Sequence, residues 1–189
     1  MYYIMSCEGP NPIAPVEVYP DLPGGPWFTG ARLGFQVPQP LRFKLSTKRR
    51  GNAKAFYGPR VPLIRMDLLA ALQEAGVDNL ELFDAILEDP VTGAGYTDYK
   101  ALNVLGLVAA ADMTASEWQA GLGRELIGVD LIDVFFEKLV LDPRLTQGLL
   151  FFRLAQSANA VVIHEQVKKV VDARGVPGMV FYEPKDWGG

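Results

Sequence analysis

Residues 63–82 read Leu63-Ile64-Arg65-Met66-Asp67-Leu68-Leu69-Ala70-Ala71-Leu72-Gln73-Glu74-Ala75-Gly76-Val77-Asp78-Asn79-Leu80-Glu81-Leu82. Leu63 and Ile64 follow a proline and suit a short extended segment. Leu68, Leu69, Ala71 and Leu72 then recur at the spacing of one helical face. Asp67 favours the start of that helix, and Gly76 stands where a left-handed residue closes one. Leu80 to Leu87 reads as a return strand. The same order of parts recurs 99 residues later, with Ile64 falling on Ile163, Leu68 on Val167, Leu72 on Val171, Gly76 on Gly175, Leu80 on Met179 and Leu82 on Phe181. An internal duplication accounts for the match, and so does the common need of such units for a glycine stop and an apolar face. Either way the expected fold is α+β: one domain, a mixed or mostly antiparallel sheet, and one short helix from each unit.

Working outward, Met1 to Met5 reads as a first strand and lacks the basic residues of a secretion leader. Ten of the 14 prolines lie in the first 62 residues, six of them between Gly9 and Pro26, so that stretch reads as an irregular arm. Trp27 to Val37 and Leu41 to Leu45 look like short strands split by Pro38 and Pro40, and Thr47 to Gly58 like a basic loop. Residues 1–60 are thus expected to pack as arm and short strands on a body of residues 61–189. Within that body, Gly93 and Gly95 mark a turn before a long apolar strand from Tyr99 to Ala109. Thr114-Ala115-Ser116-Glu117 fits a capping box, with Gly121 and Gly123 limiting any helix there. Leu131 to Leu141 reads as a strand ended by Asp142-Pro143, with Leu149 to Leu154 returning beside it as a hairpin. Met179 to Tyr182 closes the chain as a last strand.

The 189 residues are 49% apolar and 21% charged, which excludes wholesale disorder. A single cysteine excludes a disulfide-stapled scaffold. The longest apolar stretch, Val104 to Ala111, is eight residues, against roughly 20 for a membrane span. A soluble, cytoplasmic protein is expected. The net charge of −4 is unevenly spread: +6 over residues 1–65, −11 over 66–146 and +1 over 147–189. The acidic block disfavours nucleic acid as a partner and would steer a basic protein.

Catalytic signatures are weak. His164 is the one histidine, and Val167 and Lys168 occupy the positions where a second helical metal ligand would stand. A backbone hydrogen bond at a helix end suits it better. Cys7 has no histidine near it in sequence, and no G-x-S-x-G occurs. Gly93-Ala94-Gly95 and the set Gly121, Gly123, Gly128 lack the spacing of a phosphate cradle. Asp84, Glu88, Asp89, Asp98 and Asp112 could cluster around one hairpin, which keeps a carboxylate-dependent hydrolase or lyase open. Lys48-Arg49-Arg50 with Lys54 could touch phosphate, though a solvated loop is the plainer reading. Tyr96 and Tyr99 beside Asp98, with Trp118, are residue types enriched at protein interfaces.

The chain resembles the eleventh catalogued immunity-protein family of bacterial polymorphic toxin systems, formerly a domain of unknown function. The resemblance lies in Leu63-Ile64-Arg65-Met66 leading into Leu68 to Leu72, in Tyr99 to Val104 with Asp112 and Ser116, and in Ile132 to Asp142. It continues through Leu150 to Leu154, Val162-Ile163, Gly178, Val180 and Phe181, and more loosely in Met1 to Met5. Arg65 and His164 stand where members look as though a serine caps the two helices. The resemblance implies a cytoplasmic antidote that binds a cognate toxin or effector protein and covers its active surface, with no catalytic residue, metal or cofactor carried over. The expected partner-binding residues are Glu88, Asp89, Tyr96, Asp98 and Tyr99, with Trp118 at the edge. An adaptor that escorts an effector to its secretion apparatus is the further alternative.

Overall fold

The computed structural model describes residues 1–22, 25–120 and 134–189. In chain order its elements are β1 (Tyr2–Cys7), β2 (Val16–Val18), β3 (Leu41–Leu45), β4 (Phe56–Tyr57), β5 (Leu63–Arg65), α1 (Met66–Glu74), β6 (Leu80–Glu88), β7 (Gly95–Val104), β8 (Leu107–Val108), β9 (Glu117–Ala120), β10 (Val134–Lys138), β11 (Phe151–Leu154), β12 (Ser157–His164), α2 (Glu165–Arg174) and β13 (Met179–Tyr182).

Both strand–helix–strand units form, as β5–α1–β6 and β12–α2–β13. In each, the two strands run parallel to one another with an antiparallel strand between them, β7 in the first and β1 in the second. A further antiparallel strand flanks each unit, β4 beside β5 and β11 beside β12. The units differ in the source of the middle strand. β7 follows β6 through a hairpin, whereas β1 comes from the far end of the chain. The sheets run β2-β3-β6-β7-β5-β4 and β13-β1-β12-β11-β8, with β9 and β10 as a separate pair. Pairing is antiparallel except between β3 and β6 and between β8 and β11. The result is a single α+β domain with two helices and mostly antiparallel sheets.

Local chemistry sets the helix ends. Asp67 Oδ1 accepts from Leu68 N at 2.8 Å and its Oδ2 pairs with Arg65 at 2.7 Å, an acid at the positive end of α1. His164 Nδ1 accepts from Gln166 N at 3.3 Å and caps α2. Gly76 at φ 92 and Gly175 at φ 62 close the helices in the left-handed region, as their positions predict.

The helices lie side by side, tied by Arg174 to Glu74 and by Gln166 Nε2 donating to Ala75 O at 2.7 Å. Ile64, Leu68, Leu69 and Leu72 bury in one core with Ile163, Val167, Val171, Met5 and Leu102. Strand alternation sends the neighbouring residues to the opposite faces. Leu63, Tyr99 and Ala101 pack with Trp27, Phe28 and Phe43 behind the first sheet. Ile4, Phe152 and Val162 pack with Val108, Phe136 and Leu139 behind the second. Both sheets are therefore covered on both faces.

Several expectations need correction. Trp27 to Val37 is not a strand: Gly25–Phe28 is a 3-10 turn followed by bends, and Trp27 is fully buried. Residues 1–60 do more than pack on a body, since β1 is interior to the second sheet and β3 pairs with β6. The long strand starts earlier, at Gly95, and breaks between Val104 and Leu107. Thr114 to Glu117 forms no helix, because Asp112 Oδ1 accepts from both Thr114 N and Ala115 N and Glu117 enters β9. β11 pairs with β12 and β8, not with β10. Of the strand expected over Leu131 to Leu141, Val134–Lys138 forms. Residues 131–133 lie outside the described residues, as do Gly121, Gly123 and Gly128. Among the described residues, no helix is long and apolar enough to cross a membrane.

One buried charge stands out. Arg153 on β11 is fully buried, with Nη1 donating to Ala158 O at 2.7 Å and Cζ 4.5 Å from the Phe28 ring centre. Its Nε and Nη2 have no hydrogen-bond partner among the described residues.

Candidate functional site

The β6–β7 hairpin carries five of the six residues expected to bind a partner, but their surroundings differ. Glu88, at the end of β6, accepts from Arg42 at 2.7 Å and lies 3.6 Å from Lys44. Those contacts, the Arg42 hydrogen bond foremost, hold its carboxyl below the usual range. Asp89 is used by its own turn: Oδ1 accepts from Val91 N at 2.9 Å and Oδ2 from Thr92 Oγ1 at 2.8 Å, which lowers its pKa. Asp98 is exposed and Tyr96 half-buried. Tyr99 is 1% exposed, so its ring cannot face a partner. Burial pushes its phenol up, and its hydroxyl donates to Lys54 O at 2.7 Å. Trp118, 44% exposed, sits on the β9–β10 pair, which shares no strand pairing with the hairpin, and its Nε1 donates to Met113 O at 3.1 Å.

Part of the acidic block is met from within. Arg32 reaches Glu81 at 3.4 Å, Arg42 and Lys44 hold Glu88, and Lys100 pairs with Asp84. The parallel pairing of β3 with β6 lays the basic segment along the acidic one. The acids expected to converge for catalysis each have a partner of their own in Asp84, Glu88 and Asp89. Asp112 caps its own turn.

One stretch is left with unpaired positive charge. None of Lys48, Arg49, Arg50, Lys54 and Arg60 forms an ion pair among the described residues. Their loop is fastened firmly. Ser46 Oγ accepts from Lys48 N and Arg49 N, each at 3.2 Å. Asn52 N donates to Pro12 O at 2.7 Å and Ala14 N to Asn52 O at 3.1 Å, joining the loop to the Pro-rich arm. Gly51 lies against Pro12 so closely that a Cβ would not fit. The Tyr57 hydroxyl accepts from Lys54 N and donates to Ala14 O, both at 3.0 Å, and burial pushes its pKa up to about 12. Two tyrosine hydroxyls therefore grip the Lys54 backbone from both sides. The sequence does carry a signal for this loop, because no acid occurs between Asp21 and Asp67 while nine cations do.

The loop and the hairpin tip meet. Arg50, Gly51 and Ser46 face Asp89, Val91 and Thr92 across a pocket of about 250 Å³. Elsewhere, Cys7 is buried with Sγ directed at Gly9 O, and His164 is a helix cap whose pKa is lowered by burial and by the Met1 amine. Among the described residues, no three His, Cys, Asp or Glu side chains come together to hold a metal ion. No family model and no curated protein matches the chain.

Proposed function

We propose that this chain is a cytoplasmic antidote that binds a cognate toxic effector stoichiometrically and covers its active surface, without turning over a substrate. The observation that carries the reading is the meeting of the basic loop with the β6–β7 turn. Together they form a rugged surface that presents Arg50 beside Asp89 and leaves Val91 39% exposed. Both rims are held by backbone hydrogen bonds, so little order has to be gained on binding. A stable complex of this kind buries about 800 Å² on each partner. The resemblance noted in the sequence supports the same reading. The proposed binding face centres on Asp98, Tyr96, Arg50 and Val91, with Tyr99 supporting it from the core.

The test is co-expression of this chain with the product of the neighbouring reading frame of its own genome. Growth restored against a toxic neighbour, with a one-to-one complex in calorimetry, is the expected result. A toxic neighbour that kills equally with and without this chain overturns the proposal, as does turnover of a small molecule by the purified protein.

A further inference from the structure

A second cleft, of about 510 Å³, opens between β1, β4 and the Pro-rich arm. Arg49 and Lys54 line it, and neither Asp nor Glu is among its lining residues. Arg60 stands at its border with Cζ 5.3 Å from the ring centre of Tyr19, which also lines the cleft. The floor is apolar and aromatic, from Val16, Phe56 and Tyr57. Three cations without ion-pair partners among the described residues thus surround an apolar floor, on a loop already fixed in place.

We propose that this cleft docks a short acidic segment of a partner protein, seating carboxylates on Arg49, Lys54 and Arg60 and an apolar side chain on the floor. The inference deepens the binding function proposed above, and rests on it only for the identity of the protein that brings the segment. Charge complementarity selects the occupant. A lone phosphate would leave most of the volume and the whole apolar floor unused. A nucleic-acid strand would run on past the cleft and meet a protein of net charge −4, with Glu17 beside Lys48 and Asp89 beside Arg50. A short acidic peptide feels the local cations and, over a Debye length of about 8 Å, little else.

The probe is a fluorescein-labelled eight-residue peptide of alternating glutamate and leucine, followed by anisotropy with the purified chain. Saturable binding is expected, weakened about tenfold or more by Arg49→Glu with Lys54→Glu, and also by added salt. The milder pair Arg49→Gln with Lys54→Gln, with its fold checked by circular dichroism, is expected to weaken it in the same direction. A control of equal charge change, Arg144→Glu with Lys169→Glu, should alter it by less than about twofold. Absence of saturable binding overturns the proposal, as does equal weakening by the control pair. Displacement of the peptide by a lower concentration of polyphosphate or of a single-stranded oligonucleotide overturns it in favour of a phosphate ligand. Because the probe is synthetic, this outcome is independent of growth rescue: peptide binding without rescue removes the antidote and leaves the cleft.

Discussion

Replacing Arg153 by methionine should make the protein more stable. The guanidinium is fully buried, and burial pushes its pKa down to about 10 from an ordinary value of 12.5. That displacement corresponds to ~3 kcal/mol of hydration lost on folding. Two interactions offset part of it: the Phe28 ring at 4.5 Å and the hydrogen bond to Ala158 O. The ring is worth about 1–2 kcal/mol in a desolvated setting. Methionine keeps the length and fills the same space, and its sulfur contact with Phe28 regains a few tenths of a kcal/mol. With about 1 kcal/mol for the hydrogen bond, the net expectation is a gain of up to about 1 kcal/mol, or roughly 2–4 °C in midpoint for a chain of this size. Urea unfolding with an unchanged m-value measures it. Because the folded pKa lies below the unfolded one, the charge is disfavoured in full at every pH below about 10. The penalty fades only as the pH rises from there towards the unfolded value, so the gain should be the same across the neutral range. A loss of more than about 1 kcal/mol would refute the reasoning, for it would mean that a carboxylate meets the guanidinium.

Three further outcomes follow from contacts described above. Tyr99→Phe should cost about 1 kcal/mol in urea unfolding, because it strands the buried end of the Lys54 carbonyl contact, and should speed amide exchange around Lys54. Arg42→Gln should flatten the acid limb of the stability curve. Glu88 has its pKa lowered in the folded state, so its contribution is present above the unfolded value and is lost as the pH falls through the folded one. A variant that lacks Arg42 has less to lose there, and unfolding followed down the acid range should show it. Gly178→Ala should destabilise by about 2 kcal/mol or more, since Gly178 holds φ 80 and its Cβ would strike the Gly9 carbonyl. A thermal melt unchanged from the parent would contradict that.

What the sequence made legible were the parts whose signals are local. α1 and α2 each join an apolar face to a glycine in the left-handed region, and both halves of the pattern survive in the structure. The middle strands are another matter. Nothing near Tyr2 announces that it pairs with His164. Trp27 has the composition of a strand residue, yet a chain that bends twice can drive the same ring into the core as a plug. Asp112 out-competed the capping box at Thr114 because its carboxylate reaches two amides at once. Tyr96 and Tyr99 illustrate the limit at the site. Alternation alone would put one of them outward, but Ala85 opposes Tyr99 and Leu87 opposes Tyr96, so β7 carries an extra residue there. That bulge brings both rings to one side of the sheet, Tyr99 inside the core and Tyr96 half-exposed at its edge. The basic loop was visible as charge, while the cleft beside it depends on β1 and β4, which are distant in sequence.

The placement of β1 has a consequence for the newborn chain. Tyr2 and Cys7 leave the ribosome well over a hundred residues ahead of their partners His164 and Met179. Until β12 and β13 emerge β1 has no neighbour, and once they do they hold a strand-wide slot between them with unpaired amides on both sides. Closing that slot across so long a loop is slow compared with hairpin formation. The window before closure is when an identical slot on another nascent chain could accept the wrong β1, so crowding on a polysome, more than heat, is the condition under which this protein is most prone to misassemble.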